Sequence, residues 1–210
     1  MNKKTPFVKV CGQTSLSSLD TSYSMGVRFC GFIFHPRSPR SVSVERAARL
    51  KTTGMKRVGI FVEQGSEEIV AAMEKAQLDY AQLHGNQDET CARAIGPERV
   101  IRVLWPQRYA SMEELQEDID RFADSCAYFL LDAGTAGGGS GKTLPVDSLS
   151  GLRFPRPWIL AGGLNAENLS EMLGKCHPDG IDLNSGIEFA PGLKSPVKLL
   201  SVFHELSQPA

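Results

Sequence analysis

Eight short apolar or aromatic runs alternate with helix-like segments along the chain, and this repeat constrains the fold more than any other feature. The runs occupy residues 8–11, 30–34, 58–62, 80–84, 100–104, 128–132, 158–161 and 180–184. Their last residues lie 20 to 29 positions apart, which leaves room for one helix and two short loops per interval, as a parallel βα repeat requires. Helix signals fall in the intervals. Ser111-Met112-Glu113-Glu114 has the S-x-x-E pattern of a capping box, with Leu115, Ile119 and Phe122 then on one face. Ser195 before Pro196 supplies an N-cap and a first helical position ahead of the stripe Leu199, Leu200, Phe203 and Leu206. Helices are also expected over 16–25, 44–52, 67–76, 87–95 and 166–173. The Gly-rich and then Pro-rich stretch after Asp132 has room for a short helix or none.

Eight such units predict an α/β fold, a closed (β/α)₈ TIM barrel forming a single domain over residues 1–210. With 41% apolar residues in 210, the chain suits one well-buried core better than two. An open doubly wound sheet would carry a Gly-rich first βα turn, and Cys11-Gly12-Gln13-Thr14 is not one.

Charge and cysteine usage narrow the function. The formal charge is −1 and the Lys and Arg residues are scattered, so no nucleic-acid partner is expected. The basic start is followed only by Phe7-Val8-Lys9-Val10, too short for a signal core or a membrane span; no membrane partner and a cytoplasmic location follow as expectations. Cysteines 11, 30, 91, 126 and 176 are odd in number and contain no C-x-x-C pair, which points to reduced thiols. No metal site is expected, because no His, Asp and Glu cluster has ligand spacing. A monomer is expected, with a homodimer as the alternative.

Cys11 and Asp132 each close a strand-like run and open into a loop of small residues. A free Cys is often just a small buried hydrophobe, but the C-terminal end of a barrel strand is the catalytic face. A carboxylate ending Tyr-Phe-Leu-Leu is costly to bury unpaired, so Asp132 is either a helix-cap or loop-anchoring residue or a reacting group, and the rule that strand-end acids in barrels are catalytic favours the reacting group. Arg40 follows the second run in His35-Pro36-Arg37-Ser38-Pro39-Arg40 and suits two-point contact with a carboxylate. Gln82 and His84 on the fourth run and Asp182 on the eighth are further substrate-binding candidates. Ala161-Gly162-Gly163-Leu164-Asn165 and Asn184-Ser185-Gly186 place Gly162, Gly163, Ser185 and Gly186 where backbone can approach a ligand, each loop expected to lead into a helix N-terminus that attracts anions. In this barrel class the loops after strands seven and eight commonly bind phosphate, so a phosphorylated small molecule is the expected partner. The stretch 137–143, Gly-Gly-Gly-Ser-Gly-Lys-Thr, fails the P-loop pattern because Ala136 stands where Gly is needed. It is expected to be a mobile active-site loop.

Taken in order, Lys9-Val10-Cys11-Gly12, Gly31-Phe32-Ile33-Phe34, Ser38-Pro39-Arg40, Gln82-Leu83-His84-Gly85, Leu131-Asp132, Gly138-Gly139-Ser140-Gly141-Lys142-Thr143, Ala161-Gly162-Gly163-Leu164-Asn165 and Asn184-Ser185-Gly186-Ile187-Glu188 closely resemble phosphoribosylanthranilate isomerase. The resemblance runs from residue 8 to about residue 194. It implies a (β/α)₈ barrel of tryptophan biosynthesis that performs an Amadori rearrangement without a cofactor. It further implies Cys11 as general base, Asp132 as general acid, Arg40 against the anthranilate, and Gly162, Gly163, Ser185 and Gly186 around the phosphate. Gln13 stands where the family usually has an aliphatic residue, and Leu183-Asn184 replaces a common Val-Ser. The alternatives are a dual-substrate aminoaldose-phosphate isomerase, which would use a carboxylate base where this chain has Cys11, and a non-catalytic sugar-phosphate-binding barrel. A thiolate base at Cys11 leads us to expect its pKa to be lowered by strand-end dipoles or a nearby cation.

Overall fold

The computed structural model describes residues 5–52, 54–134 and 146–208, with side chains from residue 149 onward in the last segment. The stretch 137–143, expected as a mobile loop, lies outside the described residues. Eight parallel strands close into a barrel in chain order: β1 (Phe7–Val10), β2 (Phe29–Ile33), β3 (Lys56–Phe61), β4 (Tyr80–Leu83), β5 (Val100–Leu104), β6 (Tyr128–Asp132), β7 (Trp158–Ala161) and β8 (Gly180–Leu183). The seam pairs β1 with β8, Lys9 lying opposite Asp182 and Val10 opposite Leu183. Around them run α1 (Leu16–Ser24), α2 (Val44–Arg49), α3 (Ser66–Lys75), α4 (Glu89–Ile95), α5 (Met112–Phe122) and α6 (Leu169–Lys175). In the β6–β7 connection the described residues hold a 3₁₀ segment, Val146–Gly151. After β8 come a 3₁₀ turn, Ser185–Ile187, a small antiparallel hairpin of β9 (Glu188–Ala190) and β10 (Leu193–Lys194), and α7 (Pro196–Ser207). The sequence pattern does not announce that hairpin, because strands of three and two residues are too short to display an alternation.

The helix starts follow from side-chain caps. Ser111 Oγ accepts the Glu114 N–H while Glu114 accepts the Ala110 N–H; Ser195 Oγ accepts the Lys198 N–H with Pro196 at the first position. Each replaces a backbone partner that a helix end otherwise lacks. Helix α6 begins at Leu169, three residues later than its pattern predicts. Asn165 and Asn168 explain the delay, since the Asn165 N–H donates to Asn168 Oδ1 (2.9 Å) and the Asn168 N–H to Asn165 Oδ1 (3.1 Å), closing a polar turn first.

Strand periodicity of two sorts the side chains into two cores. Val8, Val10, Phe32, Phe61, Leu83, Phe129, Leu131, Leu160 and Ile181 face the helices in one cluster. Phe29, Val58, Ile60, Ile101, Val103, Leu130 and Ile159 fill the cylinder in another. Its N-terminal end is closed by a ring of aromatics, Phe7, Phe29, Tyr80 and Tyr128, with centroids 5.2–5.9 Å apart and mostly edge-to-face. Gly180 admits that ring, since a Cβ there would overlap the Phe7 side chain. Among the described residues, polar side chains such as Gln82, His84, Asp132 and Asp182 gather at the opposite, C-terminal end of the cylinder.

One charged residue in the outer layer ties strands to helices. Arg57 of β3 is buried and stacks on the Phe32 ring at 4.6 Å. Its guanidinium donates to the carbonyls of Ala47 and Leu50 at the end of α2 (2.6 Å each) and of Ala76 at the end of α3 (3.2 Å). Carbonyls at helix C-termini lack partners from a following turn, and this cation bonds three of them, Ala47 O in addition to the Leu50 N–H.

Candidate active site

The inward-facing positions at the C-terminal ends of the strands converge on a cavity of about 480 Å³. Cys11 follows β1 directly, and its N–H still donates to Leu183 O at 2.9 Å, so the thiol is held with the rigidity of a strand residue. Asp132 is the last residue of β6. Its Oδ1 accepts the Gly134 N–H at 3.1 Å, which fixes the carboxyl against the loop that follows. Both side chains line the cavity, together with Arg40, Gln82, His84, Gly162, Gly163, Asp182 and Ser185. Gly186, also expected at the site, is not on the cavity wall. It is a glycine for a packing reason: a Cβ there would overlap the Leu164 carbonyl, where the loops after β7 and β8 cross. The expectation that these loops open directly into helices also fails. Asn165 and Asn168 build a turn before α6, and three residues of 3₁₀ turn plus a hairpin precede α7. What remains is glycine backbone at the cavity edge, with Gly162 and Gly163 at φ +115° and +71°, conformations that favour glycine.

The polar floor and walls are strongly charged. Beneath Cys11, Lys9 is fully buried and its Nζ lies 2.8 Å from Asp182 Oδ2. Arg40 Nε contacts both Glu188 oxygens (3.1 and 3.0 Å) and Nη2 donates to Oε2 at 2.7 Å, while the residue lines the cavity. Lys194 Nζ bridges Glu188 Oε1 (2.8 Å) and Asn184 Oδ1 (2.7 Å). Gly12 makes this crowding feasible, because a Cβ on it would stand 2.9 Å from Asn184 Oδ1 and 3.0 Å from Arg40 Cδ. Several buried polar atoms have no protein partner, among them Gln82 Oε1, Asp182 Oδ1 and His84 Nδ1. Because buried polar groups are ordinarily bonded, these three residues on the cavity wall are set to meet a polar ligand.

Burial raises the Cys11 thiol above its ordinary value, partly offset by the Lys9 and Lys194 cations and reinforced by Asp182. The expected lowering is therefore corrected: the cations are present, but desolvation of the buried sulfur outweighs them. Burial also raises the Asp182 carboxyl and lowers the His84 imidazole, which stands edge-on to Trp105 at 5.1 Å. Among the described residues no three His, Cys, Asp or Glu side chains are grouped to hold a metal ion, and no helix is long and apolar enough to cross a membrane.

A family model described as N-(5'phosphoribosyl)anthranilate (PRA) isomerase matches residues 8–205. The chain belongs to that family. An N-(5'-phosphoribosyl)anthranilate isomerase of Desulfovibrio desulfuricans is 55% identical over 192 residues, 91% of each chain. The crystal structure of phosphoribosyl anthranilate isomerase from Thermotoga maritima superposes with a TM-score of 0.83 at 31% identity, covering 96% of this chain and 98% of that one. A further structure of the same enzyme, in complex with reduced 1-(o-carboxyphenylamino)-1-deoxyribulose 5-phosphate, has a TM-score of 0.80 at 26% identity over 96% of this chain and 98% of that one.

Lys9, Glu188, Lys194 and Asn184 escape the sequence analysis as site residues. Lys9 carries a usable signal: it lies two positions before Cys11 and so shares its inward face. Glu188 and Lys194 carry none, since their meeting depends on the hairpin. The departure at Gln13 has a local reason. Gln13 is buried, its Nε2 donates to Ser22 Oγ at 2.9 Å, and its Oε1 accepts from Ser18, so two serines of α1 satisfy the amide where an aliphatic side chain is usual.

Proposed function

We propose that the chain converts N-(5-phosphoribosyl)anthranilate to 1-(2-carboxyphenylamino)-1-deoxyribulose 5-phosphate, an Amadori rearrangement of tryptophan biosynthesis, with Cys11 as general base and Asp132 as general acid. The observation that carries this proposal is the convergence of that thiol and that carboxyl on one cavity beside Gly162, Gly163 and Ser185. Asp132 in its acid form protonates the furanose ring oxygen; the C1′–O bond breaks and the nitrogen lone pair closes an iminium. The Cys11 thiolate takes the proton from C2′, and the electrons of that C–H bond neutralise the iminium to give an enolamine. Loss of the enol proton and protonation at C1′ yield the aminoketose. The Arg40 guanidinium on the cavity wall suits the anthranilate carboxylate, and Gln82, His84 and Asp182 suit the sugar hydroxyls.

A monomer is taken as the working unit, with a homodimer as the alternative. In the same proposal residues 1–210 act as a single cytoplasmic domain on a phosphorylated small molecule, without a cofactor. The test is the fluorescence of the anthranilate adduct, which falls as substrate is consumed by purified protein. General acid and base groups each contribute roughly 10² to 10⁴-fold, so Cys11→Ala and Asp132→Asn are expected to lower kcat by about that factor with unchanged circular dichroism. Turnover near the wild-type rate in both folded variants would overturn the assignment. Binding without turnover in the wild type would leave a sugar-phosphate-binding barrel instead.

A further inference from the structure

The Lys9–Asp182 pair is an unusual object to find inside a barrel. Lys9 is wholly buried and Asp182 nearly so. Buried ion pairs often contribute little to stability compared with apolar residues of similar volume, so fold stability gives no ready reason for one here. Its position offers another reason. Lys9 and Cys11 are two residues apart on the same inward face, and Asp182 is the register partner of Lys9 across the β1–β8 seam. Gly31 on β2 leaves the sulfur its place, since a Cβ there would stand 3.1 Å from Cys11 Sγ. The Lys9 ammonium has three donors, one spent on Asp182 Oδ2 at 2.8 Å, and its charge acts on the Cys11 sulfur two residues along the same face. Asp182 Oδ1 is left without a protein partner.

We propose that Lys9 and Asp182 are positioning residues of the base: the Lys9 ammonium, shared between the Asp182 carboxylate and the Cys11 sulfur, holds the negative charge of the thiolate that takes the substrate proton. The inference rests on the assignment of Cys11 as the base. Other charged or titratable groups face or neighbour the same sulfur. Lys194 reaches it from β10, while Asp132 from β6, His84 from the end of β4 and Arg40 from the loop after β2 stand around the same cavity. Lys9 and Lys194 act in favour of the thiolate, and Asp182 acts against it. The two members of the buried pair therefore push the base in opposite directions, so replacing each one alone moves the thiol with a predictable sign.

The experiment measures kcat/KM against pH and, in parallel, the rate of Cys11 alkylation by iodoacetamide against pH, resolved by mass spectrometry of the Cys11 peptide. Asp182→Asn keeps a hydrogen-bonding partner for Lys9 but removes the competing anion. Lys9 then turns to the thiolate, and both profiles are expected to move to lower pH by about one unit, roughly tenfold more thiolate at a given pH below the limb. Lys9→Met is expected to move both profiles to higher pH by about as much. The readout is the position of each limb, which a change in substrate affinity or folded fraction leaves in place. Should Lys9→Met not fold, the direction of the Asp182→Asn shift decides alone. Limbs that stay put, or an upward shift in Asp182→Asn, overturn the proposal. If Cys11→Ala is inactive while these limbs do not move, only this inference fails; if Cys11→Ala is active, the base assignment fails with it.

Discussion

Glu188→Gln removes one charge without changing the shape of the side chain, and its effect can be worked out from the contacts. The Glu188 carboxylate is buried and accepts from Arg40, from Lys194 and from the Gly192 N–H. The amide would leave two cations facing no anion, of which Lys194 is 5% and Arg40 19% exposed at the side chain. Removing one partner of a buried pair costs about 3–5 kcal/mol; the retained acceptor oxygen and the partial exposure of Arg40 place the expected loss at the lower end, about 3 kcal/mol. A domain of this size loses about 2–4 °C of Tm per kcal/mol, so thermal unfolding followed by circular dichroism should fall by roughly 6–12 °C. Arg40 loses its anchor as well, and KM for the anthranilate adduct should rise several-fold. Acid gives a second check. Burial alone would raise the Glu188 carboxyl, but the bonds from Arg40 and Lys194 outweigh it and hold the group below the usual carboxylate range. Its stabilisation is then fully present above the unfolded value of about 4.3 and is lost as pH falls through the folded value. The Tm gap between wild type and variant should therefore narrow below about pH 4. A Tm at pH 7 within about 2 °C of wild type, or a gap that does not close in acid, refutes the reasoning.

Two further substitutions probe the ends of the barrel. Gly180→Ala drives a methyl into the Phe7 ring of the aromatic plug; overpacking of this kind costs about 1–3 kcal/mol, and Phe7→Leu in the same chain should recover most of the lost Tm. Gly186→Ala must push apart the crossing loops after β7 and β8, because its methyl meets the Leu164 backbone rather than a side chain. KM should rise about tenfold or more with kcat changed less, the mark of lost uniform binding; a normal KM would show that this crossing does not shape the proposed phosphate site.

Much of the barrel was legible in the sequence because parallel strands buried on both faces read as apolar runs, and all eight runs became strands. The ends shifted by a residue where functional side chains sit. Cys11, His84 and Asn184 lie just past the last ladder residue of β1, β4 and β8, since ladders stop where loops diverge while side-chain direction carries on. Cys11 and Asp132 could be paired because a strand end in a barrel has only one mouth to face. The state of the thiol could not be read, since desolvation depends on what encloses the sulfur from β2 and β8. Nor could Arg40 be seen sharing Glu188 with Lys194 across 148 and 6 positions of chain, a meeting set by tertiary geometry alone. Helix starts were legible where Ser or Pro fixed them, at 111 and 195–196, and misplaced at α6, where two asparagines made a turn that competes with the helix.

The Arg57 guanidinium has a consequence for how the shell comes apart. One side chain closes the C-termini of two successive helices, so fraying at the end of α2 strips carbonyl partners from the same group that holds α3. Local opening of either helix end therefore disturbs its neighbour, and the β2–α2–β3–α3 quarter should exchange its amide protons as one cooperative unit, linked by a cation rooted in a strand rather than by the helices' own contact.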